Sequence, residues 1–179
     1  MSSYHPDFGR IETKLQEDRY QEPVTRIKIV SKNCLTPDVP PTVISHFYLS
    51  LLSPSSPMYD QRVQLDLQKY RQDGVLVSYI ACQGRDGTPS GMALFPRASV
   101  PMCGEDVTLG DILRSLAAAG LDTGELNANG AGCRRWIYQC LHHLAEKGII
   151  ESSWRQVADQ YVADVRENPL SNVVDEDVD

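Results

Sequence analysis

No run of apolar residues approaches the roughly 20 that a membrane span requires, and the opening stretch MSSYHPDFGR has no apolar segment of the secretory kind. The expectation is therefore a cytoplasmic protein with no membrane span. Cysteine is present but unorganised. The five residues Cys34, Cys82, Cys103, Cys133 and Cys140 form no C-x-x-C pair, and no N-x-Ser/Thr sequon occurs, which argues against a secreted disulfide framework and against a zinc ribbon. Basic residues are outnumbered, 17 Lys and Arg against 24 Asp and Glu, for a net charge of -7. Such a field repels phosphate backbones and anionic headgroups, so nucleic acid is not an expected partner. Repeats and low-complexity tracts are lacking too. No metal or cofactor is implied by any spacing, and a compact chain with no obvious long peptide-binding groove makes a small molecule the expected partner.

What is present is the makeup of an ordinary globular domain: 179 residues, 41% hydrophobic and 23% charged. Residues 1–23 carry few aliphatic side chains and read as a flexible arm, and the acidic stretch LSNVVDEDVD closes a tail over 168–179. Between them, residues 24–167 read as one α+β domain. Strands are expected at 24–31, 43–52, 61–68, 74–82 and 91–97, separated by the turn-rich PDVPP, SPSSPMYD, RQDG and GRDGTPSG. Connections this short favour an antiparallel sheet of about five strands within 24–97. Near residue 105 the apolar period lengthens, and about three helices follow at 109–119, 133–147 and 154–166. Thr108 with Asp111, and Ser153 with Gln156, look like capping boxes, while Gly120 and Gly148 mark helix ends.

The middle helix has the most regular stripe, with Cys133, Trp136, Ile137, Cys140, Leu141 and Leu144 on one face. It follows NANGAG, too rich in Asn and Gly to be helical, so Cys133 should stand in the first turn. There unpaired amides and the positive end of the dipole favour thiolate over thiol, and Arg134 and Arg135 add positive charge. Asn129, Gly130 and Gly132 form a loop where a substrate can approach backbone amides that receive an oxyanion. The plainer alternative is that Cys133 is simply the first small apolar residue of a core stripe.

A cysteine nucleophile needs a base, and only four histidines exist. His5 lies in the arm. His142 and His143 lie about 13 Å or more along the helix from Cys133, and adjacent helical histidines usually form a solvated surface. His46 is different, because it sits inside the apolar strand VISHFYLSLL, where an unpaired imidazole is costly to bury. In the next strand, QRVQLDLQ, the residues Gln64, Asp66 and Gln68 share one face. A turn centred near Ser56 pairs His46 with Asp66, making Asp66 the favoured orienter and Gln64 the second. Each also has a plain reading: a strand histidine bonded to main chain, and solvent-facing strand residues.

A histidine early in a strand, a polar residue on the next, and a cysteine starting a later amphipathic helix: this order resembles circularly permuted papain-like enzymes, whose plan the lecithin:retinol acyltransferase-like families share. Residues 27–162 are also similar to a family of small fungal proteins, through SHFYLSLL, GVLVSYIA and above all NANGAGCRRWIYQCL. The resemblance implies His46 as base and Cys133 as nucleophile. Phe47 stands where many such enzymes have tryptophan, and the strand of Asp66 holds no second histidine. The orienting group is thereby left open.

The expected function is a thiol-dependent hydrolase, acyltransferase or cyclase acting on an ester, thioester or amide carbonyl of a small molecule. A noncatalytic binding protein that retains the fold is the alternative.

Overall fold

A computed structural model describes residues 5–13, 15–35, 43–53, 62–72, 75–85, 98–104, 106–124 and 132–167. Among these residues six strands form one sheet: β1 (Ile11–Thr13), β2 (Arg26–Leu35), β3 (Val43–Leu52), β4 (Arg62–Gln72), β5 (Val75–Arg85) and β6 (Ala98–Val100). Their order is β1-β5-β4-β3-β2-β6. Strands β2 to β5 make the antiparallel meander that their short connections dictate. Strand β6 lies antiparallel to β2, but β1 runs parallel to β5, so the sheet is mixed and one strand larger than expected. The strand expected at 91–97 and the acidic tail at 168–179 lie outside the described residues.

The extra strand comes from the segment expected to be a flexible arm, and that expectation is corrected. Phe8 and Ile11 are fully buried, and Tyr20 is nearly so. Phe8 and Tyr20 meet edge to face at 4.8 Å, and Tyr20 Oη lies 2.9 Å from Thr13 Oγ1. Two aromatic rings and Ile11 thus anchor a segment that has few aliphatic residues. The chain reverses at Gly9, whose φ of 60° suits glycine. The next amide, Arg10 N–H, donates to Asp122 Oδ2 at 2.8 Å.

Among the described residues there are three α-helices, α1 (Leu109–Ala118), α2 (Cys133–Glu146) and α3 (Trp154–Glu167); α2 and α3 pack on the sheet, and α1 packs on α2 and the N-terminal turns. At α1 the capping box forms as the sequence predicts, with Thr108 Oγ1 accepting from the Asp111 amide and Asp111 Oδ2 accepting from the Thr108 amide. At α3 it does not, because Ser153 Oγ donates instead to Glu151 Oε2 at 3.2 Å. Gly120 and Gly148 both take φ of 70° just beyond α1 and α2, and the Leu121→Leu116 and Ile149→Leu144 backbone bonds close each end.

Helix α2 lies against β3 and β4, flanked by α1 and α3. Its buried face comprises Cys133, Trp136, Ile137, Cys140, Leu141 and Leu144, as the apolar spacing predicts. Trp136, only 2% exposed, still satisfies its indole N–H by donating to the Leu121 carbonyl at 3.0 Å. The helix is therefore fixed in rotation and along its axis. That sets where its first residue, Cys133, meets the sheet. Among the described residues, no helix is long and apolar enough to cross a membrane.

Candidate active site

Strand β4 alternates as its sequence predicts. Val63, Leu65 and Leu67 enter the main core, while Gln64, Asp66 and Gln68 point to the other face. The partnership with β3 is short. Described pairs run only from Leu49↔Leu65 to Leu51↔Val63, whereas β2 with β3 and β4 with β5 are paired along their whole lengths. Past Leu49, the link between β3 and β4 is made by side chains: His46 Nε2 lies 2.5 Å from Asp66 Oδ1.

The expected direct pairing of His46 with Asp66 is thus off by two residues. Extending the observed register sets His46 level with Gln68, and Asp66 is its diagonal neighbour, within reach of a long side chain. Asp66 is 2% exposed and held by more than the imidazole. Its Oδ2 accepts from Gln64 Nε2 at 3.0 Å and from Gln68 Nε2 at 3.2 Å. Gln68 is steadied in turn by Tyr79, whose hydroxyl donates to Oε1 at 2.8 Å. Gln64 therefore supports the aspartate and leaves the histidine to it. Sequence reasoning misses the roles of Gln68 and Tyr79, although the shared face of Gln64, Asp66 and Gln68 is a usable signal for the first.

Cys133 reaches this pair from the opposite direction. It is the first residue of α2 and 4% exposed. Gly132 before it has φ of 143°, a conformation that side chains disfavour, and no side chain caps the helix. Its first amides consequently remain available to a ligand or to the sulfur. The thiol and the His46 imidazole are close enough for each to shift the other's protonation. Since Nε2 is engaged by Asp66, Nδ1 is the nitrogen left for Sγ.

The electrostatics favour an ion pair. Burial acts to raise the Cys133 pKa. The hydrogen bond and charge of His46, together with the Phe47 and Arg134 amides, overcome it and hold the thiol below its ordinary value. Burial likewise acts against a charged His46, yet hydrogen bonds to Asp66 and Cys133, and the charges of both, raise its pKa to about 9. The side-chain charges of Arg134 and Arg135, expected to help the thiolate, are not among these leading causes. Cys140, one stripe position pair further on, is fully buried and its pKa is driven up by desolvation.

Cys133 opens onto a cavity of about 530 Å³, within the range of small-molecule sites. Phe47, Tyr138 and Val165 give it apolar lining. Tyr138 is fixed there, because its hydroxyl donates to Asp159 Oδ1 at 2.7 Å and the Arg155 guanidinium lies over its ring at 5.3 Å. Arg134, Arg135 and Arg166 also line the cavity. Arg166 comes from α3, and no sequence pattern connects it with Cys133.

The remaining candidates lie elsewhere. Asn129 and Gly130 fall outside the described residues. His142 is exposed, 3.4 Å from Glu146, and His143 contacts Ser115 Oγ at 2.9 Å, both distant from the thiol along α2. His5 stacks on Phe8 at 4.1 Å in the N-terminal turn. The structure thus brings together His46, Asp66, Gln64, Gly132 and Cys133.

No curated protein matches the chain, and no solved structure does. A family model described as a domain of unknown function, DUF7770, matches residues 27–176. That span takes in β2 from its second residue, β3 to β6, the three helices, and His46, Asp66 and Cys133, and the chain belongs to the DUF7770 family.

Proposed function

We propose that the protein is a thiol-dependent enzyme that transfers the acyl group of a small ester, thioester or amide through Cys133. The observation that carries this reading is the placement of Cys133 beside a cavity and within electrostatic reach of an imidazole that a buried carboxylate already orients. Cys133 Sγ, as thiolate, attacks the carbonyl carbon and forms a C–S bond. First-turn amides of α2 not engaged by the sulfur stabilise the oxyanion. As the bond to the leaving group breaks, His46 Nδ1 donates its proton to that group. An incoming acceptor then loses a proton to His46 and attacks the thioester, releasing the product and restoring the thiolate. Water as acceptor makes a hydrolase. An external amine or alcohol makes an acyltransferase, and an internal nucleophile makes a cyclase.

Asp66 holds the imidazole in the tautomer that presents Nδ1–H to sulfur and favours its protonated form. The chain order supports a permuted papain-like arrangement, with His46 and Asp66 on adjacent strands and Cys133 at the start of a later helix. Action in the reducing cytoplasm is supported by the free thiols of Cys82, Cys103, Cys133 and Cys140.

Acyl-enzyme trapping tests the reading. With para-nitrophenyl acetate, a stoichiometric burst of nitrophenolate and acetylation mapped to Cys133 are expected, both lost in Cys133→Ser. If no acyl adduct forms on Cys133 while the fold is intact, a noncatalytic binding protein becomes the better account.

A further inference from the structure

Among the described residues, three that bear a guanidinium line the cavity beside Cys133, and none that bears a carboxylate does. In a chain of net charge -7, this places a positive site next to the thiol. Ordinary explanations for the cluster do not account for it. Among the described residues, Arg134, Arg135 and Arg166 make no ion pair, whereas Arg19, Arg114 and Arg155 each pair with a carboxylate three or four residues away. Helix stability does not call for two of them either. Arg134 and Arg135 occupy the first turn of α2, where the macrodipole disfavours cations, and no acid accompanies them. At α1 the first turn carries Asp111 instead. Nor do their charges lead the lowering of the Cys133 pKa, which comes from His46 and two backbone amides.

The two helices supply these arginines independently, Arg134 and Arg135 from α2 and Arg166 from the last turn of α3. Phe47, Tyr138 and Val165 supply apolar lining to the same space. A guanidinium offers a planar fork of donors that matches carboxylate and phosphate oxygens. Resting on the reading of Cys133 as the nucleophile, we propose that its acyl substrate carries an anionic group, a carboxylate or a phosphate, bound by Arg134, Arg135 and Arg166. The apolar part of the substrate then lies against Phe47 and Val165.

A pair of alkylating reagents of nearly equal size reads this directly. Iodoacetate is anionic and iodoacetamide neutral, and both form the same C–S bond to Cys133 with loss of iodide. The rate ratio of the two at Cys133, mapped by mass spectrometry, is compared with the ratio at the exposed Cys103 in the same molecule. The expected ratio at Cys133 favours iodoacetate relative to Cys103. Each of Arg135→Gln and Arg166→Gln should lower it by about threefold, the effect of one unit charge about 7 Å away in a water-like dielectric. His46 also attracts anions but is common to all variants, so the change on arginine replacement isolates the guanidinium contribution. Protection of Cys133 by succinate or by inorganic phosphate at matched ionic strength, reduced in Arg166→Gln, then tells which anion the site takes. A ratio that neither arginine replacement alters overturns the anionic-substrate inference and leaves the thiol chemistry standing. Failure of both reagents to modify Cys133 in the folded protein overturns the underlying reading of the nucleophile instead.

Discussion

The imidazole of His46 and the carboxylate of Asp66 meet across strands that are no longer paired, with Nε2 2.5 Å from Oδ1. This bond fixes both the direction and the charge of the ring. One nitrogen is held by the aspartate, which leaves the other for Cys133. It also gives each neighbour a distinct role: Gln64 and Gln68 hold the far oxygen of Asp66, and Tyr79 holds Gln68.

Replacing Asp66 by asparagine should preserve the shape of this network while removing its charge. His46 then loses a main cause of its raised pKa, and the Cys133 thiolate loses part of its counter-ion. A rise of one pKa unit at Cys133 leaves about tenfold less thiolate at pH values below its pKa. Acylation by para-nitrophenyl acetate at about pH 6.5 should fall by about that factor or more. Gln68→Leu should have a smaller effect, because Asp66 keeps Gln64. An Asp66→Asn variant that reacts at the normal rate would show that the carboxylate takes no part.

Reactivity should be greatest between two limits. As pH rises, Cys133 ionises below the ordinary thiol range, because its folded pKa is lowered. Above about 9, His46 loses its proton and with it the capacity to protonate the leaving group. The profile of acylation rate against pH is accordingly expected to be bell-shaped, with its alkaline limb near that value. Because the two groups interact, the limbs report the pair as a unit. A rate that only climbs through the ordinary thiol range would match an isolated cysteine.

The helices are legible in the sequence because each joins a regular apolar stripe to a terminating signal. Cys133, Trp136, Ile137 and Cys140 predict the buried face of α2, and Gly148 its end. The alternation in β4 likewise sets Gln64 and Asp66 on one face. Register is less legible, because it depends on where the chain turns between Leu52 and Arg62, and apolar pattern constrains that only to within whole pleats. The N-terminal segment escapes the pattern for a different reason: Phe8 and Tyr20 bury large surfaces as isolated aromatics and create no periodicity. Arg166 joins the cavity only through the packing of α3, which is a tertiary relationship no local pattern carries.

That N-terminal segment should contribute measurably to stability. A methyl group at Gly9 would collide with Asp122 Oδ2, on a backbone with φ of 60°. Gly9→Ala should therefore cost about 1–3 kcal/mol in chemical denaturation. An unchanged midpoint would mean that residues 5–13 unfold separately from the sheet.

Trp136→Ala should cost about 3–5 kcal/mol, the usual range for removing a buried large aromatic side chain. Trp136→Phe retains much of the packing but leaves the Leu121 carbonyl without its donor, costing about 1 kcal/mol for the hydrogen bond. Equilibrium unfolding of both variants would check the order. An unchanged midpoint in Trp136→Phe would show that the indole N–H contributes nothing, and equal losses in the two variants would contradict the assignment of most of the stability to packing.

The central claim is that Cys133 is a thiolate sustained by His46, and site-resolved alkylation tests it most directly. Iodoacetamide at about pH 6.5 discriminates well, because an ordinary thiol with pKa near 8.5 is mostly protonated there. Peptide mass mapping should find Cys133 modified well before the buried Cys140, despite its own exposure of only 4%. His46→Ala should slow Cys133 by about tenfold or more, as expected if the pKa rises by at least one unit, while circular dichroism confirms an intact fold. Equal and slow labelling of Cys133 and Cys140, indifferent to the His46 replacement, would contradict the account.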